Sequence, residues 1–274
     1  MPVSAEAIPV PECRPGQPQR ARWCRAPVVF ALAVAGLVGA TAIGCGGDGG
    51  PELTVLAASS LQAPLTAYGQ SMPGLEVRES FGGSDLLAAQ IRQGAGADVY
   101  AAAETALPNR LFREGLVRRP RAFASNRLAI AVPAGSTIGG LSDLARPGGS
   151  VLLGDEGVPI GEYADWVLAR LPSAEREAIL ANVGSREPEA SSITAKLVQG
   201  AADAGIVYRT DVRTAGGSLE AVSIPGRLQP AIAYAAAVVK GAARPALARR
   251  YVDGLIGGEG AVQLRRAGFL PPDR

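Results

Sequence analysis

The chain has 274 residues, enough for one large domain or two of ordinary size. Once the four arginines and two glutamates of residues 1–45 are set aside, 23 basic and 23 acidic residues remain, so the basic surplus of a nucleic-acid binder is missing. Histidine is absent, and the three cysteines (Cys13, Cys24 and Cys45) lie near the N-terminus. This composition excludes Ser-His-Asp and Cys-His catalysis, structural zinc and disulfide bonds from residue 46 onward.

The N-terminal segment has the pattern of an export signal. Three arginines precede an apolar run from Ala26 to Gly44, which ends in the sequence AIGC at Cys45. This ending resembles a bacterial lipobox. We therefore interpret residues 1–45 as a lipoprotein signal peptide with Cys45 as the acylated residue, and residues 46–51 as a flexible Gly-rich tether. The alternative is an uncleaved membrane anchor, because the run is almost long enough to span a bilayer. Both interpretations place the folded part outside the cytoplasm, in the periplasm or at the cell surface.

From Glu52 onward, short apolar runs alternate with helical patterns. In chain order, the predicted strands are Leu53–Ala57, Glu76–Phe81, Asp98–Ala102, Leu128–Val132, Ser150–Leu153, Gly205–Tyr208, Glu220–Ile224 and Ile232–Val239. The predicted helices are Leu61–Gln70, Asp85–Gln93, Ala106–Glu114, Glu162–Leu171, Ala174–Ala181, Ser192–Gln199, Pro245–Leu255 and Ala261–Ala267. This alternation favours an α/β fold of open, mostly parallel sheets covered by helices, with ligands at the carboxyl ends of the strands.

Two segments have the character of crossings between lobes, Ser125–Val132 and Leu228–Tyr234. We therefore predict that residues 52–126 and 228–274 form lobe I. Residues 127–227 form lobe II, as an insertion.

Three strand-to-helix turns carry residues suited to anion binding. The first contains Ser60, the second contains Ser84, and the third is the sequence GDEGVPIG at 154–161. Unpaired N–H groups and the positive dipole end of a helix N-terminus favour an anion, and the hydroxyls add donors. The alternative is that Ser60 and Ser84 act only as helix N-caps.

Over residues 52–271 the chain resembles the molybdate-binding proteins of bacterial ABC importers. The resemblance rests on the sequences AASSL (57–61), SFGGSDLLAAQI (80–91), GADVYAAAE (96–104), SNRLAIAVP (125–133), GDEGVPIGEYA (154–164), ADAGIVYRTDV (202–212) and AGFLPP (267–272). It implies a two-lobed periplasmic-binding-protein fold of type II, each lobe a mixed sheet flanked by helices, with a hinge between the lobes.

The resemblance also implies the site residues. Two serine hydroxyls, backbone amides and one tyrosine hydroxyl would hold the oxyanion, and by position these are Ser60, Ser84, Ile160 (backbone N–H), Ser191 (backbone N–H) and Tyr208. Ser59 would add a backbone N–H. Molybdenum would be bound only as its oxyanion, with no metal ligand of the protein and no cofactor. For Tyr208 an aromatic core plug is the alternative.

A cavity that offers only donors suits a fully deprotonated dianion and leaves the proton of hydrogen phosphate without an acceptor. Asp85 and Asp155 are the candidate acceptors near these turns, and we expect both to face solvent or to cap helices. We expect tungstate to bind as molybdate does and sulfate to bind less well.

The implied partners are an ABC permease and its cytoplasmic ATPase; this chain has no G-x-x-x-x-G-K-[ST] loop of its own. We expect a monomer, attached to the membrane by its lipid anchor, that binds no nucleic acid. Three alternatives remain open: another solute such as sulfate or phosphate, an exported carboxylate-dependent hydrolase using Glu104, Asp155 and Glu162, or an anchored interaction module with a dead pocket.

Overall fold

The computed structural model of the protein describes residues 50–272. The predicted signal peptide, the lipidation site Cys45 and most of the tether lie outside the described residues. No helix in this part of the chain has the length and hydropathy needed to cross a bilayer.

Ten strands and nine α-helices occupy the described residues. The strands are β1 (Glu52–Ala58), β2 (Glu76–Gly82), β3 (Val99–Ala102), β4 (Arg121–Asn126), β5 (Leu128–Pro133), β6 (Val151–Gly154), β7 (Val183–Glu187), β8 (Ala204–Tyr208), β9 (Leu219–Ser223) and β10 (Ile232–Val238). The helices are α1 (Gln62–Gln70), α2 (Ser84–Arg92), α3 (Ala106–Arg113), α4 (Pro159–Leu168), α5 (Ser173–Ala181), α6 (Ala190–Val198), α7 (Arg209–Thr214), α8 (Pro245–Gly257) and α9 (Glu259–Arg266). Short 3-10 helices cover Ser59–Leu61, Leu141–Ala145 and Gly226–Leu228.

The strands form two sheets of five, in the orders β2-β1-β3-β10-β4 and β7-β6-β8-β5-β9. In the first, β1 is parallel to β2 and β3, and β10 is antiparallel to β3 and β4. The second repeats the scheme, with β6 parallel to β7 and β8, and β5 antiparallel to β8 and β9. Two mixed sheets flanked by helices confirm the predicted fold class.

Strand β1 shows why helices cover both faces of its sheet. Leu53, Val55 and Ala57 are buried in one apolar cluster, whereas Leu56 belongs to a second cluster together with Leu87 of α2. Successive side chains of a strand point to opposite faces, so an unbroken apolar run indicates a strand buried on both sides.

The chain passes between the sheets twice. It leaves the first sheet between Asn126 and Leu128, and it returns between Ser223 and Ile232. The side chain of Gln229 joins the two passages, because its Oε1 accepts the Leu128 N–H (3.0 Å) and its Nε2 donates to the Leu128 carbonyl (2.9 Å).

Three elements were not predicted from the sequence. Strands β4 and β7 are the outer strands of their sheets. On its outer side, within the described residues, β4 has only a single bridge, from Ser125 to Leu270. The first two residues of β4 are exposed and β7 reads VGSRE, so neither presents an apolar run. Helix α7 has six residues, too few for a helical period to show.

Candidate functional site

Strand ends from both sheets meet at one small cavity. The first sheet contributes the turns after β1 and β2, and the second contributes the turn before α4, the turn before α6 and the end of β8. The cavity is lined by Ala58, Ser59, Ser60, Gly82, Gly83, Ser84, Ala103, Val158, Pro159, Ile160, Pro188, Glu189, Ala190 and Tyr208. None of these lining residues is a lysine or an arginine.

The cavity volume is about 20 Å³. A water molecule needs roughly 10–15 Å³ on this measure, whereas pockets for organic ligands commonly enclose roughly 300–1,000 Å³. The space therefore suits one compact inorganic ion and is too small for a sugar or an amino acid.

Ser84 is held so that its hydroxyl hydrogen remains free. The side chain is 2% exposed, and its Oγ accepts the Ala103 N–H at 3.1 Å. Tyr100 fixes the backbone at the same point by donating from its hydroxyl to the Ser84 carbonyl at 2.7 Å. Because Oγ already accepts one hydrogen bond, the hydroxyl can donate its own hydrogen into the cavity.

Ser60 has a comparable partner in the same sheet. Its Oγ lies 3.1 Å from Tyr234 Oη, and Tyr234 also receives a hydrogen bond from Asn126 Nδ2 at 3.3 Å. Tyr234 was not predicted as a site residue. The feature of the sequence that could have identified it is a single tyrosine among the small and aliphatic residues of IAYAAAV.

Neither serine is a helix N-cap, so that alternative is wrong. The 3-10 helix beginning at Ser59 has Ala58 as its N-cap, α1 has Leu61 and α2 has Gly83; none of the three makes a side-chain capping bond. Ser84 lies inside α2, at its first position.

Tyr208 ends β8 with its phenol group enclosed. The residue is 2% exposed, and its Oη is buried without a hydrogen-bond partner among the described residues. Its ring meets those of Tyr163 and Tyr234 edge-on, with centroids 6.4 and 5.8 Å away. Burial raises the pKa of Tyr208 well above its usual value, so the group stays a donor. An unsatisfied buried hydroxyl costs about 1–3 kcal/mol, which an accepting ligand would offset.

The N-terminus of α4 brings backbone donors from the second sheet. The helix begins at Pro159, three residues earlier than predicted, because Pro suits a position whose N–H has no partner inside the helix. Ile160 is buried, and its N–H belongs to the first turn, where intrahelical acceptors are missing. The turn is tight: a Cβ on Gly161 would lie 1.9 Å from the Asp155 carbonyl oxygen, so only glycine fits.

The remaining predicted residues divide between two places. Ser59 lines the cavity, but Ser191 does not; the α6 residue on the cavity is Ala190. Ser191 instead lines a neighbouring groove of about 480 Å³ between α1, α6 and α7, to which Ser59 and Ser60 also belong. Glu189, which the sequence reasoning missed, lines the cavity and has a buried Oε2 without a partner.

The acids near the site differ from expectation. Asp85 was expected to face solvent or cap a helix, yet its Oδ1 is buried without a partner and it makes no capping bond. A Cβ on Gly83 would lie 2.8 Å from that oxygen, which places it beside the cavity wall. Asp155 is half-buried and is not part of the cavity lining. Glu104 is 8% exposed, and burial followed by repulsion from Glu162 raises its pKa to about 7.

Residues with hydroxyls and residues at helix N-termini thus line one small volume without a formal positive charge. Such a set can donate several hydrogen bonds to an anion from fixed directions. The described residues contain no group of three or more Asp, Glu, Cys or His side chains placed to hold a bare metal ion.

Comparison with known proteins agrees with this geometry. Residues 53–270 match the family model described as bacterial extracellular solute-binding protein. The chain is 34% identical over 263 residues to the molybdate-binding protein ModA of Mycobacterium tuberculosis, which covers 89% of this chain and 97% of that protein. The periplasmic molybdate-binding protein of Azotobacter vinelandii superposes with a TM-score of 0.71 at 21% identity, over 81% of this chain and 100% of that one. The sulfate-binding protein SubI of M. tuberculosis gives a TM-score of 0.70 at 22% identity, over 81% and 88%.

Two mixed sheets joined by two passages of the chain, with a small donor-lined cavity at their strand ends, define a two-lobed solute-binding protein. The chain belongs to the family of bacterial extracellular solute-binding proteins. Its resemblance to the molybdate-binding proteins, predicted from the sequence, is confirmed. Members of this family bind solutes.

Proposed function

We propose that the protein binds molybdate, and tungstate equally well, outside the cytoplasmic membrane and delivers it to an ABC permease driven by a cytoplasmic ATPase. The observation that carries this proposal is the meeting of Ser60, Ser84 and Tyr208 at one small cavity, with the Tyr208 hydroxyl lacking any other partner among the described residues. The names of the relatives support molybdate as the first ligand to test.

The energetics are sufficient without a cation. A hydrogen bond to a charged group contributes about 1.5–3 kcal/mol, and nanomolar binding requires about 12 kcal/mol. Five to seven donors from the hydroxyls and first-turn amides therefore reach that range, even after desolvation and lobe closure reduce the sum.

Calorimetry with molybdate, tungstate, sulfate and phosphate tests the solute. We expect molybdate and tungstate to bind alike and more tightly than the other two. Phosphate is an informative competitor, because the unpartnered oxygens of Asp85 and Glu189 are acceptors that could receive its proton. If sulfate or phosphate bound more tightly than molybdate, that anion would be the solute, and the protein would still be a solute-binding protein.

Thermal denaturation of the purified protein separates binding from the remaining alternatives. Ligand at a thousand times its dissociation constant should add about 4 kcal/mol of stability. If no oxyanion raises the denaturation temperature, the alternative of an interaction module whose pocket binds no ligand would be supported. A hydrolytic activity that Asp155→Asn abolishes, with oxyanion binding unaffected by Ser60→Ala and Ser84→Ala, would establish the enzyme alternative.

We also propose that the two sheets are the cores of two lobes, residues 52–126 with 228–274 and residues 127–227, which close as a hinge around the ion. Small-angle scattering should show a smaller radius of gyration with molybdate than without it. An unchanged radius at saturating ligand would argue against hinge closure.

Membrane attachment is proposed to depend on Cys45. A Cys45→Ser variant should move from the membrane fraction to the soluble fraction, whereas Cys24→Ser should stay with the membrane. Mass spectrometry of the membrane form should find the chain beginning at an acylated Cys45. A membrane-bound protein that retains residues 1–44 would instead favour the uncleaved anchor.

A further inference from the structure

Four carboxylates lie at or near the proposed anion cavity, two on the side of each sheet. Glu189 lines it, the Asp85 Oδ1 lies beside its wall at Gly83, Glu104 directly follows the lining residue Ala103, and Glu162 is an exposed residue of α4. Asp85 and Glu104 come from the turns at α2 and α3, and Glu162 and Glu189 come from the starts of α4 and α6. Within residues 50–272 none of the four forms an ion pair with a lysine or an arginine. A cavity suited to an anion therefore has unpaired negative groups near it, which is electrostatically unfavourable.

Glu104 is the most enclosed of the four. It follows Ala103, which lines the cavity and donates its N–H to Ser84. The backbone N–H of Leu107 at the start of α3 lowers the pKa of Glu104, opposite to the effect of burial. The other charged or titratable groups that face it are Asp85, Tyr100, Arg110, Glu162, Tyr163 and Tyr208.

Among these neighbours Arg110 is the single cation, and it is on Glu104's own side, in α3. The opposite wall contributes Glu162 and phenol groups only. When the lobes separate, water replaces this wall and the repulsion from Glu162 weakens. Closure therefore removes solvent from Glu104 and adds a like charge, and a bound dianion adds two more.

We propose that the closed cleft binds a proton on Glu104 together with the oxyanion, so that uptake of one doubly charged anion is coupled to uptake of one proton from solvent. This inference rests on the proposed function. The proton neutralises a carboxylate near the bound dianion, and Gln is a suitable mimic of the protonated acid because it is uncharged and of the same size.

The direction of the pH dependence follows from the two states. In the open cleft, exposed to water, Glu104 should titrate near its ordinary pKa of 4.5, whereas in the closed arrangement burial and Glu162 raise this pKa to about 7. The closed form therefore holds the proton more tightly. Anion affinity should be highest at low pH, fall by up to about tenfold per pH unit as the open form loses its proton, and level off above the pKa of the closed form.

The experiment is molybdate titration calorimetry on the full chain from pH 5.5 to 8.5, in pairs of buffers with different ionisation enthalpies. For the unmodified protein we expect affinity to fall between pH 5.5 and 7, with net uptake approaching one proton per anion. Glu104→Gln should bind with little pH dependence over the same interval and without proton uptake. Glu177→Gln, an exposed change on α5, should behave as the unmodified protein does.

Asp211 is a second buried carboxyl that titrates in the same range, and it lines the groove beside the cavity. Asp211→Asn is therefore measured in parallel and should retain the proton uptake. Uptake that disappears in Asp211→Asn and survives in Glu104→Gln would overturn the assignment. Tight binding with no pH dependence in the unmodified protein refutes the coupling alone, whereas absence of oxyanion binding at every pH refutes the proposed function.

Discussion

The hydroxyl oxygens of Ser60 and Tyr234 lie 3.1 Å apart, and Asn126 Nδ2 lies 3.3 Å from the same Tyr234 oxygen. An amide nitrogen only donates, so Tyr234 accepts from Asn126 and its own hydrogen is available to Ser60. Ser60 then acts as an acceptor inside the protein, and its hydrogen is left for a ligand. The Ala103 N–H has the same effect on Ser84. Two unrelated contacts thus orient both serines as donors.

Removing the Tyr234 hydroxyl should release this orientation. We expect Tyr234→Phe to weaken molybdate binding by about 0.5–1.5 kcal/mol, the value of one neutral hydrogen bond. In a double-mutant cycle measured by calorimetry, Ser60→Ala with Tyr234→Phe should lose little more than Ser60→Ala alone. Fully additive losses would mean that Tyr234 does not act through Ser60.

Tyr208→Phe should separate binding from stability. The variant loses a donor to a charged ligand, so affinity should fall by about 1.5–3 kcal/mol, or roughly 10–150-fold. The ligand-free protein should be as stable as before or more so, because the hydroxyl has no partner among the described residues. Calorimetry measures the change in affinity, and urea denaturation measures the change in stability of the ligand-free protein.

Tyr251→Phe is the control, since the Tyr251 hydroxyl is also buried but lies beside Glu79 and belongs to α8, outside the cavity lining. This variant should bind molybdate normally. An equal loss of affinity in both variants would point to a general effect of the substitution on the fold.

Ser84→Ala should weaken binding by a similar 1.5–3 kcal/mol and also destabilise the ligand-free protein, because the buried Ala103 N–H loses its acceptor. Ser71→Ala is the control, since Ser71 Oγ donates to the Tyr68 carbonyl at the end of α1, away from the cavity. Affinity unchanged in Ser84→Ala would remove Ser84 from the site.

Asp211 should make folding stability pH-dependent. The residue is 5% exposed, and burial raises its pKa from 3.8 to about 7, although the Tyr208 N–H opposes this change. The folded state therefore holds the proton more tightly than the unfolded state, and stability declines as pH rises from about 4 to about 7. A pKa that differs by one between the folded and unfolded states corresponds to about 1.4 kcal/mol of stability.

Asp211→Asn should remove this decline, so its stability relative to the unmodified protein should rise between pH 5 and 8. Urea denaturation at several pH values measures the difference, with Glu177→Gln as the exposed control. A constant difference across that range would show that Asp211 stays charged in the folded protein.

Gly161→Ala tests the tight turn before α4. The added Cβ would overlap the Asp155 carbonyl, so the turn must move, at a cost of about 1–3 kcal/mol or more, and anion affinity should fall with it. Gly226→Ala has open space around the added atom and should change neither property. Normal stability and binding in Gly161→Ala would show that the turn adapts.

Much of the architecture was predictable because the apolar runs and helical patterns in the sequence correspond to strands and helices of the folded protein. The alternation of strands and helices predicted two α/β sheets, and the serines at 60 and 84 follow strands that end at the same edge of one sheet. Carboxyl ends of parallel strands converge, so positions after such strands were sound candidates for a shared site.

The unpredicted parts depend on contacts between distant segments. Nothing near Tyr234 in the sequence indicates Asn126, 108 positions away, as its partner. Ala190 rather than Ser191 lines the cavity, because the residue at which α6 begins depends on packing that the sequence does not show. The contact of the Ser191 N–H with a ligand stays a prediction. Asp85 was expected to face solvent or to cap a helix, because the sequence does not show how closely the turn around it packs. That packing buries its Oδ1.

The walls of the cavity come from both sheets. If the lobes close around a bound ion as proposed, the ion would leave only when the two halves of the molecule part. Its residence time would report how often that happens, so substitutions at the Gln229–Leu128 junction, far from any ligand contact, should alter the rate of release more than the equilibrium. Handover to a membrane partner would accordingly require the partner to hold the halves apart.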